Sequence, residues 1–162
     1  MLIKLINKNK LIVDEFIFQC CIGKNGITNN KIEGDFKTPK GKFNLGDLFY
    51  KYKKDVKESN LNKKKIKKNM GWCNNINSKN YNKLIKISKN EKYEKIFRKD
   101  YKYDLMIPIE YNYKKVIPNK GSAIFLHITK NYKGTAGCIA LSKKDFLIMI
   151  KILNKKNQIL IS

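Results

Sequence analysis

The sequence predicts a β-rich α+β fold, and three stretches carry that prediction. Residues 1–21 alternate apolar and polar side chains around turns, and Ser122–Ile128 is mostly apolar and β-prone. Near the end, Ser142 opens an apolar-rich helix, and Gln158–Ile161 follows as a strand. Period-two alternation and β-branched residues are typical of strands. We therefore expect strands at both ends of the chain, a polar middle and one helix near the C-terminus.

Length and composition agree with one folded domain spanning residues 1–162. The chain is 42% hydrophobic and 11% aromatic, which is enough for a core at this length. Residues 1–21 lack the uninterrupted apolar core of a signal peptide, so we expect the N-terminal hairpin to belong to the fold. No stretch of the sequence approaches the roughly 20 apolar residues of a membrane span.

The middle of the chain contains turns, a lysine-rich stretch and a further strand. Gly23–Gly26 and Thr38–Gly41 are predicted turns, and the second leads into a strand over 42–45. Residues 50–69 are expected to be helical or mobile because lysines dominate them. Residues 101–109 predict a strand whose tyrosines lie on the sheet face.

A capping box predicts where the C-terminal helix begins. Ser142 is followed three residues later by Asp145, a spacing that satisfies backbone groups at a helix N-terminus. The helix is expected to run from Lys143 to about Lys155, with its Ile, Leu and Phe side chains in the core. Cys138 lies four residues before the cap, so the helix dipole lowers its pKa little.

The chain is strongly basic, with 36 Lys and Arg residues against 13 Asp and Glu residues and a formal net charge of +23. Such a charge raises the question of nucleic acid. Arg98 is the one arginine, and Lys and Asn are spread along the chain, which indicates a compositional bias. The densest run, Lys63–Lys68, is expected to be a solvated face or loop. We therefore expect no nucleic-acid partner, although a basic surface can attract anionic polymers.

His127 is the only histidine in the chain, and it precedes Cys138 by eleven residues. A thiol needs a nearby base to be a strong nucleophile near neutral pH. The polar turn between the two residues, with Gly137 just before the cysteine, can fold the chain back and set thiol against imidazole. The alternative is a small buried thiol and a strand histidine whose hydrogen bonds are satisfied. The spacing alone leaves both interpretations open.

Three separated segments form a more specific pattern. They are Lys31–Phe43 with Glu-Gly-Asp and Thr-Pro-Lys-Gly-Lys-Phe, the strand Gly121–His127, and Thr135–Ile139 with Thr-Ala-Gly-Cys. Together they resemble the L,D-transpeptidase catalytic domain (YkuD) family, in the branch with a Thr-Ala-Gly-Cys nucleophile block. The likeness runs from about Cys20 to the C-terminus. It implies a YkuD-like β-sandwich of mixed sheets with a flanking C-terminal helix.

The resemblance also implies a cysteine-dependent active site. Cys138 matches the family's nucleophile, and His127 matches its general base. Gly137 and the backbone amide of Cys138 would border the oxyanion site, and Thr135 would hold the turn. The resemblance requires no metal and no organic cofactor. The sequence agrees, because it has no Cys-x-x-Cys or His-x-x-x-His pair that would support zinc.

Two positions depart from the commoner family pattern. Ala136 stands where a second histidine is usual, and Ala140 stands where Arg or Asn is usual. If that second histidine acts through its backbone carbonyl, Ala136 still supplies an acceptor that orients the His127 imidazole. The Ala140 difference removes a side chain that would touch a substrate carboxylate or the oxyanion, so donor specificity stays open.

Relatives in the family carry segments similar to Trp72-Cys73-Asn74 and Tyr81-Asn82. The resemblance therefore makes Trp72, Tyr81 and Asn82 candidates for lining the substrate cleft. For Trp72 the alternative is packing in the core, where large aromatic side chains are often found.

The implied reaction is acyl transfer on peptidoglycan stem peptides, in which an amine resolves a Cys138 thioester. An L,D-carboxypeptidase or endopeptidase, which uses water instead, is an alternative on the same fold. A lysine-rich polyanion-binding protein with an inactive site is an alternative of a different class. The expected partner is the stem peptide, and a monomer is expected. The substrate would place the protein in the periplasm or cell envelope, although the sequence shows no signal peptide.

Overall fold

The computed structural model describes residues 1–154 and 156–162. Its elements are β1 (Leu2–Ile6), β2 (Lys10–Val13), β3 (Phe16–Cys21), β4 (Ile27–Thr28), β5 (Thr38–Pro39), β6 (Gly41–Asn44), β7 (Leu48–Tyr50), a 3₁₀ helix (Lys53–Val56), β8 (Lys63–Lys65), β9 (Met70–Cys73), β10 (Leu84–Lys86), β11 (Tyr93–Lys95), β12 (Leu105–Pro108), β13 (Phe125–Ile128), β14 (Ile139–Leu141), α1 (Lys143–Ile152) and β15 (Gln158–Ile161). The predicted β-rich α+β class with a C-terminal helix is confirmed. Within the described residues, no helix has the length and apolarity to cross a membrane.

Ten strands form one mixed sheet in the order β6-β15-β1-β2-β3-β14-β13-β12-β7-β8. A second sheet has the order β10-β9-β11, and β4 pairs with β5. The two ends of the chain meet in the large sheet, because β1 pairs in parallel with β15. The predicted N-terminal hairpin is part of this sheet and extends to a third strand, β3. Asn7 and Lys8 make its first turn with φ of 50° and 60°, as a tight hairpin turn requires.

Both faces of β13 and β14 are buried, and residue alternation sorts their side chains between two cores. On one face, Leu126 packs in a core that includes Phe146 of α1. On the other face, Phe125 and Cys138 pack in a core that includes Trp72 of β9. The large sheet is therefore covered by the helix on one side and by the three-stranded sheet on the other. The candidate nucleophile lies on the side of the three-stranded sheet.

The lysine-rich stretch 50–69 differs from its prediction. It contains the 3₁₀ helix and β8, and β8 pairs in parallel with β7 at the edge of the ten-stranded sheet. Ile66 is buried, whereas the lysines of β8 are exposed. Exposed lysines on an edge strand oppose pairing with another chain, because each addition would bring like charges together. The run is thus a solvated face, as expected, but an ordered one.

Two other predicted elements have different bounds. Tyr101 and Tyr103 precede β12 and do not lie on it, so Tyr103 turns inward and is 6% exposed. Helix α1 ends at Ile152, because Leu153 adopts an extended backbone with ψ of 145°. Its predicted end, Lys155, lies outside the described residues. The predicted cap is confirmed, since Ser142 accepts a hydrogen bond from the backbone N–H of Asp145 at 3.0 Å.

Candidate active site

The register of two parallel strands brings His127 and Cys138 together. His127 of β13 lies opposite Ala140 of β14, and Cys138 precedes Ala140 by two residues. Because side chains alternate, His127 and Cys138 project from the same face of the sheet. Standard strand spacing places their Cα atoms about 8 Å apart on the diagonal. Both side chains line one cavity of about 390 Å³.

The Cys138 thiol is buried and held by strand backbone. Its Sγ accepts a hydrogen bond from the Phe125 N–H and donates one to the Ala123 carbonyl, both at 3.3 Å. Burial raises the pKa of Cys138 to about 12, and the negative charge of Glu94 adds to that increase. The resting cysteine is therefore a neutral thiol at pH 7.

The hydrogen bond of His127 defines which ring nitrogen can act as a base. Nδ1 lies 2.9 Å from the carbonyl of Ile128. A carbonyl only accepts, so Nδ1 carries the proton and Nε2 is left as the basic nitrogen. The imidazole and the Tyr103 ring pack in a T-shaped arrangement, with ring centroids 5.2 Å apart. The acceptor suggested from the sequence was the Ala136 carbonyl; in the structure Ile128 has this role, because its carbonyl is beside the ring on the same strand.

Burial lowers the pKa of His127 to about 4, so the resting pair is a neutral thiol and a neutral imidazole. A preformed thiolate–imidazolium pair would need the pKa of Cys138 to lie below the pKa of His127.

The buried neutral imidazole makes stability depend on pH. Its pKa is about 4 in the folded protein against 6.5 for an unperturbed histidine, so the unfolded chain binds the proton first as pH falls. The difference, 6.5 minus 4, corresponds to about 3 kcal/mol of unfolding free energy that is present above pH 6.5 and lost between pH 6.5 and pH 4. Urea unfolding at pH 7 and pH 4 should show this loss in the wild type and a smaller one in His127→Gln. Equal losses in both proteins would contradict it.

Thr135 holds the turn that presents the nucleophile. Its hydroxyl accepts a hydrogen bond from the Gly137 N–H at 3.1 Å and donates to the Cys138 carbonyl at 2.6 Å. Its backbone N–H donates to the Ile22 carbonyl at 2.8 Å, which anchors the turn next to β3. The Gly137 amide is thus occupied by Thr135.

A second threonine braces the same turn from a distant part of the sequence. Thr38 is fully buried; its hydroxyl accepts from the Gly23 N–H and donates to the Gly137 carbonyl, both at 2.9 Å. Gly137 itself has φ of +138°, and a Cβ there would lie 2.8 Å from the carbonyl oxygen of Lys37. The Thr-Pro segment therefore supports the nucleophile turn across 99 residues of sequence.

Replacing Thr38 with valine removes this brace without changing the shape of the side chain. The Gly23 N–H and the Gly137 carbonyl lose their partner in a buried place, which costs about 1–3 kcal/mol of unfolding free energy. Turnover is expected to fall as well, because the carbonyl next to Cys138 is no longer held. Urea unfolding and turnover assays measure both effects. Thr38→Ser is the control, since it keeps the hydroxyl; equal losses in both variants would contradict the hydrogen-bond account.

Three residues suggested for substrate binding are buried and are not among those that line the cavity. Trp72 and Asn82 are 2% and 3% exposed, and Trp72 Nε1 donates to Asn82 Oδ1 at 2.9 Å. The same oxygen accepts from the Ala123 N–H at 3.0 Å, which fixes the strand segment whose carbonyl accepts from Cys138. Tyr81 is 2% exposed and donates its hydroxyl hydrogen to Glu33. Trp72 and Asn82 thus support the strand segment at Ala123 through their hydrogen bonds. For Trp72, packing in the core is the alternative that the sequence had left open.

The cavity wall also contains charged and aromatic residues that were not among the site residues expected from the sequence. They are Lys31, Glu33, Glu94, Arg98, Tyr101, Lys102, Tyr103 and Lys133. Glu33 belongs to the Glu-Gly-Asp segment, so it had a sequence signal. Glu94 and Tyr103 had none, because Glu94 reaches the cavity through the pairing of β11 in the three-stranded sheet and Tyr103 through the segment that precedes β12.

Ala140 has no exposed surface and lies between two partners in the sheet, His127 on β13 and Cys21 on β3. A charged side chain at this position would have to displace them. Any positive charge used for a substrate must therefore come from elsewhere on the wall. Within residues 1–154 and 156–162, no group of His, Cys, Asp and Glu side chains is arranged to hold a metal ion.

Known proteins identify the family. Residues 2–161 match the L,D-transpeptidase catalytic domain, YkuD. The K307A mutant of the helical cell shape determining protein Pgp2 from Campylobacter jejuni is similar in structure, with a TM-score of 0.55 and 18% identity over 99% of this chain and 45% of that chain. A second Pgp2 structure from the same organism has a TM-score of 0.48 and 17% identity over 99% of this chain and 46% of that chain.

The similarity to the K307A structure shows a shared fold. This chain spans less than half of the length of either Pgp2 chain. No curated protein matches the chain in sequence. The family match, in contrast, covers nearly the whole chain and includes the turn that carries Cys138. The protein belongs to the L,D-transpeptidase catalytic domain (YkuD) family.

Proposed function

We propose that this domain catalyses acyl transfer on peptidoglycan stem peptides through a thioester on Cys138, with His127 as the base. One observation carries the proposal: the register of β13 and β14 places the only histidine and this thiol on one face, in one cavity. Family membership supports the reaction class. The similar Campylobacter jejuni protein determines helical cell shape by its description, which supports a role in the cell wall.

The first step forms the thioester. Sγ of Cys138 attacks the carbonyl of an L-to-D peptide bond while Nε2 of His127 takes the thiol proton. The sulfur–carbon bond forms, the carbon–nitrogen bond breaks, and the imidazolium gives its proton to the leaving amine. Because the Gly137 amide is held by Thr135, the oxyanion role falls to the backbone amide of Cys138.

Groups on the cavity wall suit a peptide that ends in a carboxylate. Lys102 and Lys133 are exposed cations on this wall, and they replace the charge that Ala140 lacks. Asn74 Oδ1 is buried and has no hydrogen-bond partner among the described residues, so it can accept from a substrate N–H. A donor peptide whose carboxylate binds these lysines and whose N–H donates to Asn74 would keep its scissile carbonyl close to Cys138.

The second step decides between transferase and hydrolase. An amine that attacks the thioester gives a crosslink, whereas water gives a shortened stem. Incubation of wild type and Cys138→Ala with disaccharide tetrapeptide, followed by mass analysis of the muropeptides, separates the outcomes. Crosslinked products that require Cys138 support the transferase, and shortened products alone support the carboxypeptidase. No product from a folded protein with an alkylatable Cys138 would contradict the proposal and favour polyanion binding, which should survive Cys138→Ala and weaken steeply with salt.

A further inference from the structure

Among the residues that the structure describes, Lys31 is the one lysine that is buried. Its side chain is 3% exposed, and it lines the cavity that contains Cys138. Lysine is almost never buried to this extent unless its charge is held by a partner or a ligand. The contacts of its ammonium group therefore indicate whether Lys31 has a structural role alone or also faces a ligand.

The ammonium of Lys31 has two acceptors, and both belong to its own loop. It donates to the Ile32 carbonyl at 3.0 Å and pairs with the Asp35 carboxylate. That carboxylate also accepts from the backbone N–H groups of Ile32 and Lys37, at 2.9 Å and 2.8 Å. An ammonium has three N–H donors. The loop thus fixes the ammonium in place and leaves one donor without an acceptor in the part of the chain that the structure describes.

The side chain of Lys31 runs past two glycines toward the nucleophile turn. A Cβ on Gly121 would lie 2.8 Å from Lys31 Cγ, and a Cβ on Gly137 would lie 3.6 Å from Lys31 Cε. The ammonium nitrogen is one bond beyond Cε, which places it within about 7 Å of the Gly137 Cα atom. It therefore lies close to the peptide unit that joins Gly137 to Cys138.

The charge of Lys31 also acts on the nucleophile. Burial raises the pKa of Cys138 and the charge of Glu94 adds to that increase, whereas the Phe125 N–H and the charge of Lys31 oppose it. This effect agrees with the position beside Gly137, which follows from the packing alone. A positive group is thus available on the side of the cavity where an acyl carbonyl would meet the sulfur.

The oxyanion site needs such a donor. The Gly137 amide is occupied by the Thr135 hydroxyl, at 3.1 Å, so the turn itself offers the backbone amide of Cys138. Donors held in advance where negative charge develops stabilise the tetrahedral intermediate of acyl transfer, and side chains supply them in some enzymes. The free N–H of Lys31 is held in advance by Ile32 and Asp35, and it lies beside this turn.

We propose that the Lys31 ammonium donates the second hydrogen bond to the oxyanion that forms when Cys138 attacks an acyl carbonyl. This inference rests on the proposed function. As the sulfur–carbon bond forms, the π electrons of the carbonyl move to its oxygen and the thiol proton passes to Nε2 of His127. Lys31 keeps its three protons and hydrogen-bonds the oxygen through one of them. The electrons return to the carbonyl when the carbon–nitrogen bond breaks. Lys31 is thus a catalytic residue, and Asp35 positions it.

The ratio of two reactions of Cys138 tests this role, because Lys31 also affects the thiol itself. p-Nitrophenyl acetate acylates the sulfur through a tetrahedral oxyanion, whereas iodoacetamide alkylates it at a saturated carbon and forms no oxyanion. Both reactions require loss of the thiol proton, so the ratio of their rates cancels a change in the pKa of Cys138. The ratio of acylation to alkylation, measured by the mass of the Cys138 peptide, should fall about 10²-fold in Lys31→Met.

Lys40→Met is the matched control, since Lys40 is exposed, lies nine residues further along the same segment and undergoes the same change of charge. It should keep the wild-type ratio. Urea unfolding shows whether Lys31→Met is folded. A second variant, Lys31→Met with Asp35→Asn, removes the pair together, leaves no unpaired charge, and should show the same fall.

An unchanged ratio in a folded Lys31 variant overturns the role, and so does a wild type that is alkylated but not acylated. Loss of folding in both variants would assign Lys31 a structural role instead. p-Nitrophenyl acetate contains no peptide and no carboxylate, so the test does not depend on the natural substrate. Acylation of the wild type by this ester, without thioester formation from disaccharide tetrapeptide, would contradict the proposed function while the ratio still decides the role of Lys31.

Discussion

Replacing Cys138 with alanine is expected to abolish turnover while the protein stays folded. The strand register places this thiol on the same face as His127, and we propose it as the nucleophile; removal of the nucleophile in covalent hydrolases costs roughly 10⁵-fold or more in rate. Its Sγ makes two hydrogen bonds with backbone groups, so the expected loss of unfolding free energy is about 1–3 kcal/mol. Turnover assays and urea unfolding measure the two effects separately.

Cys20→Ala is the matched control for this prediction. Cys20 is also a buried free thiol, but it lies on β3 and packs in the core beneath α1, not at the cavity. Its replacement should keep activity at a comparable cost in stability. A Cys138→Ala protein that retains activity, or that unfolds while Cys20→Ala does not, would favour the interpretation of Cys138 as a structural thiol.

Replacing Gly137 with alanine is expected to give the second-largest loss. The backbone φ of +138° is one that L side chains rarely adopt, and the added Cβ would lie 2.8 Å from the Lys37 carbonyl oxygen. Strain of this kind costs about 1–3 kcal/mol, and relief of the clash must move the residue next to the nucleophile. A displacement of about 1 Å at a reacting group lowers the rate roughly 10²-fold. Turnover and urea unfolding of the variant check both expectations.

Gly26→Ala separates backbone strain from displacement of the nucleophile. Gly26 also has a positive φ, +84°, but a Cβ there meets nothing within 4 Å. Both variants should lose stability, and only Gly137→Ala should lose activity. Similar turnover in the two proteins would show that the position of the Gly137 backbone does not control catalysis.

The pairing of His127 with Cys138 was predicted from the resemblance to the L,D-transpeptidase family, because the spacing of the two residues alone also allowed a structural thiol and a structural histidine. The alternation of residues 1–21 and the cap at Ser142 were predictable because they depend on local sequence. The link from Thr38 to Gly137 was not, since it joins residues 99 positions apart and depends on how β5 packs beside the nucleophile turn.

The cavity wall was the least predictable part of the site. Glu94 follows no sequence pattern, and it reaches the cavity because β11 pairs with β9 in the three-stranded sheet. The protonation states also depend on tertiary structure. The resemblance to the family implied that His127 activates the thiol, but burial lowers the pKa of His127 and raises that of Cys138, so both groups are neutral at rest.

The most direct test of the account is the intact mass of the protein during reaction with disaccharide tetrapeptide. The account predicts a transient increase equal to the substrate without its terminal residue, mapped to Cys138, lost on hydroxylamine treatment and absent from Cys138→Ala. Product formation by wild type and Cys138→Ala at equal rates, with no adduct on either protein, would contradict the account.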